Sequence, residues 1–452
     1  MYIVYSLLLG FLALISLPWW LLQMARLGKY RAGFRERLGL VPSRLQNGGL
    51  GHAGCIWIHA VSVGEVLAVS QLVGELTKAD PSRHVFVSTT TATGQALARQ
   101  RFGETRVFYM PLDFTFAIRP YLRALRPSVL ILAETEFWPN LLHSAHRYGA
   151  AVAVVNARIS DRSFPRYCRF REFFSRVLSN VDLFLAQTDE DARRLRAIGA
   201  PEARVAVSGN LKFDIRLSSG SAITEDLRRA IATGVGLKAA PVIVCGSTTE
   251  GEEEYVLAAF RQVLQEFPAA VMILAPRHPE RFEKVAGLIA ASGISFVRRS
   301  TWNRQDTTAA LKGSIFLLDS VGELASVYAL AGVAFVGGSL VPLGGHNILE
   351  PAQHGVAVLT GPHTFNFREI VRIFTEPEKA SEKKAAKAEG PGLLVVTTEN
   401  LGSVICELLR NPHERERLGR RARELFLENT GATKKTLAAL EPLLGRHKAK
   451  TL

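Results

Sequence analysis

Glu65 stands in "IWIHAVSVGEVLAV", where a buried, strand-like run gives way to a helical pattern across a Val/Gly turn. A carboxylate at that join has two available roles. In the first turn of a helix it can cap free N–H groups, and its charge suits the helix dipole. Aimed past the strand end, it can take a proton from an attacking hydroxyl. The preceding Gly64 allows close backbone approach. Glu134 and Glu136 leave a second apolar run, "LAETEFWPN", two residues apart on one face. Carboxylates so close raise each other's pKa unless a cation is near. Lys212, in "GNLKFD", is the candidate cation, and a purely structural ion pair is the alternative.

Further polar groups gather in the second half. Gly246-Ser247-Thr248 ends an apolar run and leads into a helix, an arrangement suited to phosphate. Arg277 and His278 end the next run, and Arg offers a forked donor for phosphate or carboxylate. Arg281, one turn along, falls on the outer face of its helix. "VGEL" (Val321, Gly322, Glu323, Leu324) and "VGGSLVPLGGHNILEP" follow. In the latter, Gly344 and Gly345 let backbone close on a ligand, His346 or Asn347 can cap the next helix, and Glu350 can accept two ribose hydroxyls. Together these read as a nucleotide site. Asp189 and Asp191 form a D-x-D, better explained as the acidic first turn of a helix after Thr188. There is no G-x-G-x-x-G after a strand, no Walker A, no H-E-x-x-H and no metal-ligand cluster. No cofactor or metal is expected.

The elements that must position these groups alternate. From residue 55, short apolar runs and helical patterns follow one another, which predicts parallel sheets flanked by helices. The alternation pauses at a Ser/Gly-bearing segment and restarts at "PVIVCGST". The expected α/β organisation is an anchor at 1–25, a Rossmann-like domain at 26–215, a linker at 216–238, a second Rossmann-like domain at 239–411 and a basic helical tail at 412–452. Ligands of such sheets bind beyond the carboxyl ends of the strands. A charged, Ala-rich stretch at 376–392 reads as an exposed insertion.

The 452 residues carry a net charge of +14, which calls for an anionic partner. "MYIVYSLLLGFLALISLPWWLLQMA" has no side-chain charge before Arg26, enough to cross a bilayer, with Trp19 and Trp20 where an interfacial belt belongs. Arg26, Lys29, Arg31, Arg35 and Arg37 follow, which places the rest of the chain in the cytoplasm. The charges lie after the apolar run, the reverse of a secretory signal. A helix lying in the interface, or docked on the protein, is the alternative to one that spans, since Pro18 interrupts the run. Either way nucleic acid is not the expected partner. Cys55, Cys168, Cys245 and Cys406 are scattered, with no zinc-type pairing and no disulfide framework.

"HAVSVGE", "ETEFWPNL", "GNLKFD", "APRHPERF" and "FVGGSLVPLGGHNILEPA…GPHTFNF", in that order, closely resemble bacterial 3-deoxy-D-manno-octulosonic acid (Kdo) transferases over nearly the whole chain. The resemblance implies a B-type (GT-B) glycosyltransferase, two Rossmann-like domains facing a cleft. It also implies inverting transfer of Kdo from CMP-Kdo to a lipid A precursor at the cytoplasmic face of the Gram-negative inner membrane. The family's base falls on Glu65, and Glu136 and Lys212 match positions that support the transition state. CMP contacts fall on Arg277 and His278, on Val321, Gly322 and Glu323, and on Asn347, Ile348, Leu349 and Glu350. Position 321 is often Met in this family, so Val321 departs mildly. The bis-phosphorylated acceptor suits the basic chain. Within "ARISDRSFPRYCRFREFF", arginines from Arg158 on interleave with Phe164, Tyr167, Phe170, Phe173 and Phe174. That segment is expected to grip lipid phosphates and dip into the interface, or else to be an amphipathic helix packed on the core. A sugar-nucleotide epimerase or hydrolase shares the layout but needs no anchor. An inactive binding protein would not need Glu65, Arg277 and Glu350 together. A UDP-sugar transferase acting on lipid is the nearer rival.

Overall fold

Among the described residues, fourteen short strands form two sheets, and in both every strand pair is parallel. The computed structural model describes residues 1–27, 32–46, 54–215, 222–235, 240–302, 311–376 and 390–445. The first sheet comprises β1 (Cys55–His59), β2 (Val85–Thr89), β3 (Val107–Tyr109), β4 (Pro127–Ala133), β5 (Ala151–Ala157), β6 (Leu183–Ala186) and β7 (Val205–Val207). Its order is β3-β2-β1-β4-β5-β6-β7, so the direction of winding reverses between β1 and β4. The second comprises β8 (Val242–Thr248), β9 (Val271–Pro276), β10 (Phe296–Arg298), β11 (Ile315–Leu317), β12 (Val333–Val336), β13 (Ala357–Thr360) and β14 (Leu393–Val395). Its order is β10-β11-β9-β8-β12-β13-β14, and the reversal falls between β8 and β12. Such reversals open a crevice at the carboxyl ends, the preferred ligand position in open α/β sheets.

Burial on both faces explains why the strands read as continuous apolar runs. On β1, Trp57 packs to one side with Phe108 and Tyr121, and Ile56 and Ile58 pack to the other with Val66 and Val69. Trp57 is fully buried, and its indole N–H donates to Ser88 Oγ at 2.8 Å, so the polar end of the ring is satisfied.

The chain divides into a unit of residues 1–216 plus 429–452 and a unit of residues 217–428. The tail expected as one appendage is therefore shared. The Pro412–Glu428 helix packs against β13 in the second unit, while the Ala432–Gly445 helix returns to the first and buries Leu440 and Leu443 there. The reason is visible in apolar periodicity, which outweighs the basic residues between. Asp214 fixes the return: its carboxylate accepts the backbone N–H groups of Gly431 and Thr433 at the start of that helix. The expected linker contains a helix, Ala222–Val235, whose Ile223, Leu227 and Ile231 are buried in the second unit. Of the charged stretch 376–392, residues 377–389 lie outside the described residues.

The apolar N-terminus is a single helix, Tyr2–Leu27, continuous through Pro18. Over Tyr2–Trp20 its mean hydropathy is 1.9, long and apolar enough to cross a membrane. The basic-aromatic segment folds as two short helices, Phe164–Arg169 and Arg171–Leu178. Phe164, Tyr167, Phe173 and Phe174 pack against the core, as the amphipathic reading has it, and Phe170 is exposed.

Asp214→Ala leaves two N–H groups of the returning helix without their acceptor. Losing an N-terminal cap costs about 0.5–2 kcal/mol. Thermal unfolding should shift down accordingly, with proteolysis first appearing near residue 429; an unchanged melting curve would contradict the cap.

Candidate active site

In the first unit, β1 ends at His59 and the next helix begins at Val63, with Ser62 as its N-cap. The turn between is held tightly. Val61 carbonyl accepts the backbone N–H groups of Thr90 and Thr91 and the Thr91 hydroxyl. A side chain at Gly94 would meet this turn, 3.2 Å from the Ser62 carbonyl carbon, so glycine lets the neighbouring helix close on it. Glu65 folds back on the same turn. Its Oε2 accepts Val61 N–H at 2.8 Å and its Oε1 accepts the Ser62 hydroxyl at 3.1 Å. The carboxyl is only 8 % exposed. Burial, then the negative charge of Glu134, with a smaller push from Glu136, raise its pKa to about 7 against the pull of Val61 N–H and Ser62. The capping role and the reactive role are therefore not exclusive. The cap fixes the carboxylate, and its surroundings bring its pKa near neutrality, where a general base works best.

Glu134 and Glu136 do not continue the strand. β4 stops at Ala133, and Glu134 sits in the left-handed region with φ 57°. Lys212 Nζ lies 3.1 Å from Glu134 Oε1, and among the described residues no ion pair reaches Glu136. Burial first and then the Glu134 charge raise the Glu136 pKa. Glu134 thus belongs to the cluster as the carboxylate that holds Lys212. Sequence reasoning also passed over Asn156. Buried at the end of β5 with φ 55°, it accepts Leu211 N–H at 2.9 Å through Oδ1 and so seats the turn that carries Lys212. Asparagine at an apolar strand end, "VVNARIS", was the available signal. His59 is fully buried, with Nδ1 2.9 Å from Ser88 Oγ and its ring edge toward Trp138. Burial lowers its pKa to about 4, so it is neutral.

In the second unit, the β8 and β12 ends are tied by one side chain. Glu252, with no exposed surface, accepts the N–H groups of Thr249, Gly338, Ser339 and Leu340 and the Thr249 hydroxyl, at 2.6–2.9 Å. A Cβ on Gly337 would stand 2.7 Å from Thr248 Cα and 2.8 Å from this carboxylate. Glu252 lies in "STTEGEEE", where four acids in five positions hid that Glu252 and Glu253 are the buried ones. Gly246 similarly leaves room for the Tyr328 hydroxyl, which would lie 2.0 Å from an added Cβ.

The predicted nucleotide residues sit around these ends. Arg277 is exposed, anchored by its N–H to Thr248 carbonyl at 2.9 Å, and has no ion pair among the described residues. Its charge reaches both His346 and Glu350. His278 is exposed beside Glu280. The N-cap position of the Leu349–Gln353 helix is Ile348, but Asn347 Oδ1, rather than His346, accepts its first N–H, from Leu349 at 3.2 Å, and Asn347 Nδ2 donates to Glu350 Oε1 at 3.2 Å. Burial raises the Glu350 pKa against Asn347 and Arg277. Burial, then Arg277, lower that of His346 to about 4, and its Nε2 is enclosed without a hydrogen bond. Ile348 and Leu349 point into the core, so only their backbone is available. Val321 is 78 % exposed, and Gly322 has φ 90°. The Glu323 carboxylate is already taken by Arg299, with two contacts of 3.1 Å, and by Ser320. Arg281 is paired to the buried Glu253 and its own side chain is only 12 % exposed, so it turns inward rather than lying on the outer helix face as expected. Among the described residues no group of three or more His, Cys, Asp or Glu side chains forms a metal-type cluster.

Two all-parallel units, each with charged groups at the carboxyl ends beside its own reversal, define a two-domain Rossmann-like α/β protein. The fold is shared with the UDP-GlcNAc 2-epimerase of Neisseria meningitidis, with a TM-score of 0.53 at 12% identity over 86% of this chain and 99% of that one. Sequence is more specific. Residues 32–215 match the family model for 3-deoxy-D-manno-octulosonic-acid transferase. The chain is 34% identical to the 3-deoxy-D-manno-octulosonic acid transferase of Haemophilus influenzae, over 93% of both chains. It is 35% identical to that of Bordetella pertussis, over 98% of this chain and 99% of the relative. The chain belongs to the 3-deoxy-D-manno-octulosonic acid transferase family and is a glycosyltransferase.

The raised Glu65 pKa has a stability consequence. Its folded value, about 7, lies above the ordinary 4.5, so its stabilising contribution is complete below pH 4.5 and is lost as pH rises through 7. At about 1.4 kcal/mol per pKa unit, the ionised state carries a penalty on the order of 3 kcal/mol. Glu65→Gln should therefore melt a few degrees above the parent at pH 8 and lose that advantage below pH 5. Equal melting curves at pH 8 would contradict the raised pKa.

Proposed function

We propose that this glycosyltransferase moves Kdo from CMP-Kdo to a lipid A precursor with inversion of configuration, releasing CMP, at the cytoplasmic face of a Gram-negative inner membrane. The observation that carries the reading is the Glu65 carboxyl, fixed beyond β1 by Val61 and Ser62 with a pKa of about 7. Near neutral pH a substantial fraction is ionised and ready to accept a proton. The acceptor hydroxyl oxygen forms the new bond to the anomeric carbon while its proton passes to Glu65. The bond from that carbon to the CMP phosphate oxygen breaks, and CMP leaves with the electron pair. No covalent enzyme intermediate forms.

Lys212, held by Glu134, supplies a positive charge beside the carboxylate cluster. Glu136, half-buried and without an ion pair among the described residues, is free to hydrogen-bond the acceptor or the transition state. In the second unit, Arg277 is the forked donor for the CMP phosphate, and Glu350, oriented by Asn347, accepts ribose hydroxyls. Val321, Gly322, Ile348 and Leu349 offer backbone groups, and His278 lies beside Arg277. Because Arg299 occupies the Glu323 carboxylate, Glu323 acts by shaping the 320–323 loop. The net charge of +14 suits the phosphorylated lipid acceptor.

Mass spectrometry of a lipid A precursor incubated with CMP-Kdo and the protein tests the reading. The expected result is a mass gain in whole Kdo units, with the rate lowered about 10²–10⁴-fold in Glu65→Gln. Gain that survives the substitution would remove Glu65 as base. No gain, with CMP-Kdo intact and UDP rather than CMP protecting the protein from thermal unfolding, would transfer the reading to a UDP-sugar donor.

A further inference from the structure

The Tyr2–Leu27 helix is tied to the first unit by side chains at its beginning. Tyr2 stacks on His143, with ring centroids 3.9 Å apart and planes 16° apart, and its hydroxyl accepts from Asn180 Nδ2 at 2.8 Å. Ser6 Oγ accepts from Asn140 Nδ2 at 3.0 Å. Tyr5 faces the Asp113 carboxyl and Phe173, and Gly10 lies against Phe114. Positions 2, 5, 6 and 10 share one helical face. The opposite face is bare: Val4, Leu7 and Phe11 are 59, 69 and 61 % exposed, and between Phe11 and Trp20 only Ser16 is shielded.

The chain after the helix returns to the same unit. Glu36 Oε2 accepts Tyr109 N–H at 2.7 Å, Leu112 N–H donates to Arg37 carbonyl at 2.8 Å, and Leu45 is fully buried in that core. The start of the helix and the chain from Glu36 onward are therefore fastened to one folded body. A helix of 26 residues at about 1.5 Å per residue is near 39 Å long, and a spanning one must put its ends on opposite sides of a core of about 30 Å. To cross, this helix would have to break the Tyr2, Tyr5 and Ser6 contacts and leave Asn140, Asn180 and Asp113 without those partners.

We infer that the helix does not cross the bilayer but stays docked on the first unit through its first ten residues and presents its apolar surface to a single leaflet, with both ends on the cytoplasmic side. This rests on the membrane location proposed above but not on the sugar chemistry. The occupant is a lipid leaflet rather than a protein, for two reasons. The bare face is uniformly apolar over about five turns and ends at exposed Trp19 and Trp20, the residues favoured at headgroup depth. Tyr2 and Tyr5 contact the Arg171–Leu178 helix through Arg176 and Phe173, and just before that helix stand exposed Arg166, Arg169 and Phe170. Such a combination of apolar face and neighbouring cations binds the interface of an anionic leaflet. Phe116, 63 % exposed and stacked on Phe114, extends the surface next to Gly10.

The test uses the full chain in native inner membrane, with a protease-cleavable peptide placed ahead of Met1. Cleavage in inside-out vesicles and protection in intact spheroplasts is the expected pattern, whereas cleavage in spheroplasts would overturn the inference. A second readout is independent of the tag. Ser6→Cys with Asn140→Cys should be joined by a short bis-maleimide in intact membranes, and its absence there would also overturn the inference. Kdo transfer is measured in the same vesicles. Loss of transfer with the expected topology would count against the proposed chemistry alone, and retained transfer with the opposite topology against the inference alone.

Discussion

A carboxylate removed from water has to be met by donors, and in this protein the supply of donors separates structure from chemistry. Glu65 and Glu252 occupy equivalent places, each at the reversal of a parallel sheet, close to the first turn of the helix that follows the central strand. Glu252 receives five hydrogen bonds, four of them from backbone N–H groups, and is the knot that ties β8 to the Gly-rich turn after β12. Glu65 receives two, and it has Glu134 and Glu136 as neighbours rather than donors. The first is fully satisfied and builds the fold. The second is held in place but left under-solvated, which gives a base that can change protonation near neutral pH.

The rest of the first unit serves that arrangement. Parallel strands buried on both faces place β1 and β4 side by side, so the two turns that carry the acids emerge together. The bend at Glu134 then sends its charge to Lys212, while Asn156 seats the Lys212 turn from the neighbouring strand. One cation against three carboxylates leaves a net negative cluster, which favours protonation and keeps the Glu65 pKa high. A second cation at this point would make Glu65 a weaker base.

Thirteen of the fourteen strands are visible in the sequence as apolar runs. The exception is β3, "VFY" within "TRVFYMPLD". The candidate residues at strand ends were legible because parallel topology forces ligand groups there. Their partners were less so. Alternation along β4 suggested that Glu134 and Glu136 share a face, but a left-handed backbone at Glu134 cancels strand periodicity, and only three dimensions show which acid reaches Lys212. The basic residues after 412 masked an apolar stripe that returns the last helix to the first unit, where Asp214 receives it from 217 positions away. Contacts of that sequence separation leave no local pattern. The same holds for Arg299, whose claim on Glu323 could not be read from a spacing of 24 residues.

The pH dependence of the single-turnover rate, compared between the parent and Glu134→Gln, tests the central claim most directly. If Glu65 is the base and the Glu134 charge helps to raise its pKa, the parent rate climbs with an apparent pKa near 7. Removing that charge, which also frees Lys212, should move the climb to lower pH, whatever happens to the plateau. A climb that stays in place in Glu134→Gln, or a parent rate flat between pH 5 and 8, would contradict the account.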